Sequence, residues 1–83
     1  METIERAFGQ VIRQLRKQAG FSQEAFADHA GIHRTYMSSI ELGKVQVSIA
    51  IAEKLARALK ISVGDLFQRV VKLQGETTKP RRK

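Results

Sequence analysis

Apolar residues recur at helical spacing along most of the chain, in short segments separated by breaks. Between Ile4 and Leu15 they recur at steps of three and four residues, which makes one apolar stripe on a helix. The breaks fall at Gly20, Gly31 and Gly43, and glycine ends helices readily because it adopts left-handed backbone at no steric cost. Alternating strand patterns are scarce. We therefore expect an all-α chain, folded as a compact bundle of five short helices.

The same pattern sets approximate helix bounds. We expect helices at about 4–17, 23–30, 33–42, 48–59 and 62–73. Ser22 and Ser48 are suitable N-caps, and Ser62 has the capping-box spacing to Asp65. The predicted inward-facing residues of the last four helices are Phe26, Ala30, Ile32, Met37, Ile40, Ile51, Leu55, Ala58, Leu59, Val63, Leu66 and Phe67.

The chain has 83 residues, enough for one compact domain. We place that domain at residues 1–74 and interpret residues 75–83 as a basic, disordered tail that binds phosphates or only aids solubility. There is no cysteine, which excludes disulfides and zinc fingers of the cysteine type. His29 and His33 are four residues apart, but Gly31 lies between them and further ligands are lacking. We expect no metal and no cofactor.

The charge of the chain favours a polyanionic partner. The net charge is +7, and residues 1–74 alone carry eleven basic and seven acidic side chains. Such an excess suits DNA, although a charged face is often simply solvated. No apolar run approaches the ~20 residues of a membrane span, and Glu2 and Glu5 do not fit a signal peptide. We expect a cytoplasmic protein without a membrane partner. No catalytic motif stands out, so we do not expect an enzyme.

Residues 23–42 have the pattern of a helix-turn-helix. Two helices that cross at a steep angle need a small residue at the crossing and a turn residue that tolerates positive φ. Ala27 supplies the first and Gly31 the second, while Phe26, Met37 and Ile40 supply the shared core. A generic helical hairpin would meet some of these requirements, but here all of them agree.

The exposed side of the predicted third helix suits the reading of DNA. It is almost free of acidic residues until Glu41. Arg34, near the helix start, could pair with O6 and N7 of guanine, and the Thr35 methyl group could meet a thymine methyl. Hydroxyl groups and a tyrosine can bind phosphates or base edges. Gln23, at the start of the second helix, and Lys44, after the third, are candidates for phosphate contacts, although both could be plain surface residues.

Three stretches, 20–27, 30–44 and 58–67, resemble the Cro/phage-repressor family, also called Xre. The likeness covers roughly residues 5–70, and its motifs occur in the right order. The segment 31–36 is also similar to controller proteins of restriction–modification systems. The resemblance implies a lambda-repressor-like fold and a homodimer on a palindromic operator of double-stranded DNA. It implies base contacts from Arg34, Thr35, Ser38 and Ser39, and phosphate contacts from Gln23, Tyr36 and Lys44.

Three positions depart from the family pattern. His33 stands where the family often has a capping serine, and a histidine caps less well. Leu42 replaces an arginine or asparagine before Gly43, which removes a possible contact to the DNA backbone. Residues 45–47 replace the usual Asn-Pro stretch, so Gln46 becomes the candidate for a phosphate contact in that loop.

The predicted fifth helix has more apolar residues than a small lone domain needs. We expect Phe67, Val70 and Val71 to form a two-fold dimer interface, with a longer intrachain core as the alternative. The function expected from all these features is transcriptional regulation by operator binding, which could block or contact RNA polymerase. The alternative is an antitoxin-type module that binds a protein partner and regulates its own gene, but the tail has few apolar anchors.

Overall fold

The computed structural model describes residues 3–78, and over this range it contains five α-helices and no strand. In chain order they are α1 (Ile4–Gln18), α2 (Gln23–Ala30), α3 (Arg34–Glu41), α4 (Ile49–Ala58) and α5 (Val63–Thr78). The predicted all-α class is confirmed. The first four helices agree with the predicted bounds to within one residue at each end.

Hydroxyl side chains begin four of the helices. Thr3, Ser22, Ser48 and Ser62 each accept a hydrogen bond from the backbone N–H three residues later, at 2.9–3.1 Å. These bonds satisfy amide groups that have no partner within the helix. The predicted caps at residues 22, 48 and 62 are therefore confirmed.

The core lies where α1 meets α3 and α5, with α2 and α4 closing its other side. The largest fully buried side chains are Phe26, Ile12, Met37, Ile40, Leu55, Leu66 and Val70. Most of them belong to the predicted apolar stripes. The contact between α1 and α3 is unusually close at Gly9, where a Cβ atom would lie 2.3 Å from the Ile40 carbonyl oxygen.

Two apolar residues of α5 face the opposite way from the prediction. Val70 was assigned to the dimer interface, but it is 0% exposed and belongs to the core, so this assignment is wrong. Val63 was assigned to the core but is 36% exposed. The reason is the register of the helix: Leu66 and Val70, four residues apart, face inward. Val63, Phe67 and Val71 form the adjacent stripe, on which Phe67 is half-buried and Val71 is 59% exposed.

The fifth helix is longer than the sequence pattern predicted. It continues to Thr78, five residues past the expected end at Leu73, so it passes through the domain boundary placed at residue 74. Leu73 still packs against the core, and the helix continues beyond this contact. Residues 75–78, which the sequence pattern placed in the tail, are thus part of α5. The basic residues 79–83, predicted to be disordered, lie outside the described residues.

Candidate DNA-binding surface

The turn between α2 and α3 is built by Gly31. Its backbone is left-handed, with φ 73° and ψ 34°, and its N–H donates to the Asp28 carbonyl at 3.2 Å. The next N–H, from Ile32, donates to the Ala27 carbonyl at 2.9 Å, and the Ala27 side chain is buried at the crossing. The pair of helices is thus fixed by the small residue and the turn residue that the sequence indicated.

His33 begins α3 in place of a hydroxyl residue. Its Nδ1 accepts a hydrogen bond from the Thr35 backbone N–H at 3.2 Å. Because Nδ1 acts as the acceptor, the neutral ring carries its proton on Nε2. The expected weak point at the start of α3 is therefore capped by the imidazole itself.

The four predicted base-contacting residues occupy the outer side of α3. Arg34 and Thr35 in its first turn are exposed, while Ser38 and Ser39 one turn later are half-buried. Met37 and Ile40 point the other way and are fully buried. Side chains three and four residues apart share one side of a helix, so residues 34, 35, 38 and 39 form one continuous surface.

The predicted phosphate-contacting residues are more scattered. Tyr36 is half-buried and packs against the core beside that surface. Lys44 is exposed, just after α3. Gln46 is exposed too, but it borders a groove with Ile4 and Phe67, on the side of α1 and α5. The structure therefore groups Tyr36 and Lys44 with α3 but places Gln46 at the edge of another surface.

Gln23 belongs to a buried polar network that the sequence analysis missed. Arg16 of α1 donates from Nε to Glu41 Oε2 at 2.7 Å and from Nη2 to Oε1 at 3.1 Å, and both side chains are buried. Its Nη1 donates to the Phe21 carbonyl at 2.9 Å. Gln23 Nε2 donates to Glu41 Oε1 at 3.0 Å. The network joins α1, the start of α2 and the end of α3, so it sets the position of α3.

The spacing in α1 contained a signal for this network. Arg16 follows Phe8 and Ile12 at successive steps of four, which puts it on their buried side. Glu41 is the sole acidic residue of α3. A buried arginine needs a partner, and a carboxylate can accept both of its parallel donors.

Arg34 also has a partner in the adjacent helix. Its Nη1 lies 2.9 Å from Oε1 of Glu24, in the first turn of α2. Both side chains are exposed, and they border a shallow cleft between the starts of α2 and α3 together with Asp28 and Ile32. The guanidinium predicted to read DNA therefore lies against a carboxylate of the adjacent helix.

The two histidines do not face a common site. The His29 ring stacks on Phe21 with centroids 5.0 Å apart, while His33 caps α3. Among the described residues, no group of three or more histidine, aspartate or glutamate side chains could hold a metal ion.

Known proteins share this arrangement. A family model described as helix-turn-helix matches residues 12–66. The chain belongs to this Xre-type helix-turn-helix family. It is 41% identical over 73 residues to a Mycoplasma sp protein named Control protein C.MunI, and the alignment covers 87% of this chain and 99% of that one.

Solved structures give the same result for this helix-turn-helix chain. The restriction-modification controller protein C.AhdI from Aeromonas hydrophila is 42% identical with a TM-score of 0.71, over 75% of this chain and 94% of that one. A tetramer of C.Esp1396I in complex with its natural 35 base-pair operator is 26% identical with a TM-score of 0.78, over 88% and 96% of the two chains. The predicted family is confirmed. The chain is a DNA-binding transcriptional regulator of the controller and repressor type.

Within the part of the chain that the structure describes, no helix combines the length and the apolar character needed to cross a bilayer.

Proposed function

We propose that this regulator binds a palindromic operator as a homodimer, with α3 of each subunit in the major groove. The observation that carries the proposal is the exposed pair Arg34 and Thr35 in the first turn of α3. Recognition helices meet base edges with their N-terminal residues. We infer that Arg34 pairs with guanine, that Thr35 contacts a thymine methyl, and that Ser38 and Ser39 contact neighbouring base edges.

The start of α2 is the proposed phosphate anchor. A helix N-terminus presents free backbone N–H groups and a partial positive charge, both of which suit a phosphate. The Gln23 amide has two N–H groups, and the bond to Glu41 uses one of them. The other can donate to a phosphate, while Tyr36 and Lys44 supply contacts beside α3. Gln46 can contact a DNA phosphate only if the bound DNA extends toward α1.

The homodimer is proposed to use the outer stripe of α5. Val63, Phe67 and Val71 recur at steps of four, and the side chains of Ile4 and Val47 extend the apolar surface beside Phe67. Two copies of a helix stripe can meet across a two-fold axis with the same residues on both sides. Such a dimer would place two copies of α3 about 34 Å apart, in successive major grooves of the same DNA face.

We infer that the protein acts in the cytoplasm, where it has access to DNA. We also infer that it acts as a control protein, as the names of its relatives indicate. Bound beside a promoter, it would exclude RNA polymerase or contact it. Since operators lie next to the genes they control, the sequence that it selects identifies its targets.

The experiment that tests this function is selection of bound sequences from random DNA at a stated salt concentration. The expected result is a two-fold symmetric site with a guanine in each half. Affinity should fall steeply as salt rises, because bound phosphates release their counterions. Recovery of no preferred sequence, or of an asymmetric one, would contradict the proposal.

A further inference from the structure

The ion pair between Glu24 and Arg34 crosses the cleft between the first turns of α2 and α3. The oxygen and nitrogen are 2.9 Å apart, and the side chains are 74% and 63% exposed. An ion pair in such contact with water contributes little to folding stability. The consequence of this ion pair is therefore its effect on the orientation of the Arg34 guanidinium.

The pair leaves Arg34 able to read a base. The contact with Glu24 uses Nη1. A guanidinium has five N–H donors in a rigid fork, so the edge formed by Nη2 and Nε can still donate two parallel hydrogen bonds. Those are the two bonds that O6 and N7 of guanine accept. A long arginine side chain otherwise rotates freely, and the carboxylate restricts the plane of this fork.

We propose that Glu24 is a specificity-determining residue of the DNA-binding surface, which holds the guanidinium of Arg34 in the orientation that reads guanine. This inference rests on the proposed function. The carboxylate also disfavours incorrect sequences. Where no guanine is present, the fork that Glu24 orients faces a base edge that cannot accept both of its hydrogen bonds, so donors are left unpaired. Leaving polar groups unpaired against an incorrect partner is a general means of specificity.

Asp28 provides a matched comparison for Glu24. It lies one turn further along the same side of α2 and borders the same cleft, but the ion pair of Arg34 is with Glu24. Glu24→Gln and Asp28→Asn each remove one negative charge close to the same surface, and both residues are exposed, so both variants should fold. Only the first removes the carboxylate that orients Arg34.

The experiment measures dissociation constants for the selected operator and for the same operator with its guanine replaced, at one salt concentration. Wild-type protein should discriminate between them, and Glu24→Gln should lower the ratio of the two constants by about 3- to 10-fold. Asp28→Asn should lower both dissociation constants by the same factor and leave their ratio unchanged. In an Arg34→Ala background, Glu24→Gln should no longer change the ratio.

Two results would overturn the inference. One is an unchanged ratio for Glu24→Gln, and the other is an equal change for Glu24→Gln and Asp28→Asn, which would mean a shared effect of charge. A wild-type protein that selects no sequence would instead contradict the proposed function, so the two failures are distinguishable.

Discussion

Arg34 is the residue that we propose pairs with a guanine of the operator. It is exposed in the first turn of α3, and its guanidinium is the one arginine fork on that helix. Replacing it with alanine should cost about 1–3 kcal/mol of operator binding and relax the preference at one position in each half-site. Competition binding against operator variants measures both effects.

Arg57→Ala is the control for this substitution, because Arg57 is an exposed arginine of α4 that pairs with Glu53. It removes the same charge without touching α3. An equal loss of affinity for operator and random DNA in Arg34→Ala would mean that Arg34 contacts only the backbone.

Gly9 is a residue at which added volume should be poorly tolerated. A Cβ atom there would lie 2.3 Å from the Ile40 carbonyl oxygen and 2.7 Å from that of Glu41, both on the backbone of α3. Gly9→Ala should destabilise the protein by at least about 1–3 kcal/mol, because the two helices must move apart. Urea unfolding followed by circular dichroism measures the change.

Gly64 provides the comparison, since a Cβ atom there meets nothing closer than 3.9 Å. Gly64→Ala should be neutral or stabilising by up to about 1 kcal/mol, as expected for a helical glycine. Equal stability of the two variants would show that α1 and α3 can separate at no cost.

Arg34 and Gly9 also show how far the roles of single residues could be predicted from the sequence. Arg34 was predicted correctly as an exposed residue near the start of α3, because local periodicity decides which side of a helix a residue occupies. The role of Gly9 was not predicted, because it depends on which other helix passes it. Nothing in the residues around Gly9 specifies a carbonyl group that lies more than thirty positions away.

At the scale of helices, the network of Arg16, Glu41 and Gln23 fixes how α1, α2 and α3 meet. Glu41→Leu would leave the Arg16 guanidinium buried without its partner, and should destabilise the protein by about 3 kcal/mol. Arg16→Met would strand the carboxylate in the same way. The double variant should cost less than the sum of the two, because no unpaired charge remains. Chemical denaturation of all three variants tests this; strict additivity would mean that the two charges act independently.

The errors in α5 have a physical cause at the same scale. Its apolar residues are evident from the sequence, but Val63 and Val70 were predicted on the wrong sides, because an apolar band alone does not specify which of its edges faces the neighbouring helices. The side that faces inward is chosen by α1, against which α5 packs along much of its length. Its extension to Thr78 was missed for a related reason, because polar residues gave no periodic signal beyond Leu73.

At the scale of the whole molecule, the buried position of Val70 changes which substitution can test the dimer. An aspartate at residue 70 would be placed in the core and would unfold the subunit, whatever its oligomeric state. Val71 is 59% exposed and lies on the outer stripe of α5, so a charge there can be solvated in the monomer. In a symmetric dimer a charge at this position would be buried against the outer stripe of the second subunit, and burying a charge without a partner is costly.

Val71→Asp should therefore shift the protein toward monomer in sedimentation equilibrium while leaving its helical content unchanged. Gln14→Asp is the matched control: it adds the same charge to an exposed position of α1, beside Arg69 and Lys72 and away from the outer stripe of α5, so it should leave the dimer intact. Because a monomer engages only one half-site, Val71→Asp should also lose the gain in affinity that a second half-site gives the wild type. An unchanged dimer in Val71→Asp would mean that the subunits meet elsewhere, and the exposed Ile49 at the start of α4 would then be the next position to substitute.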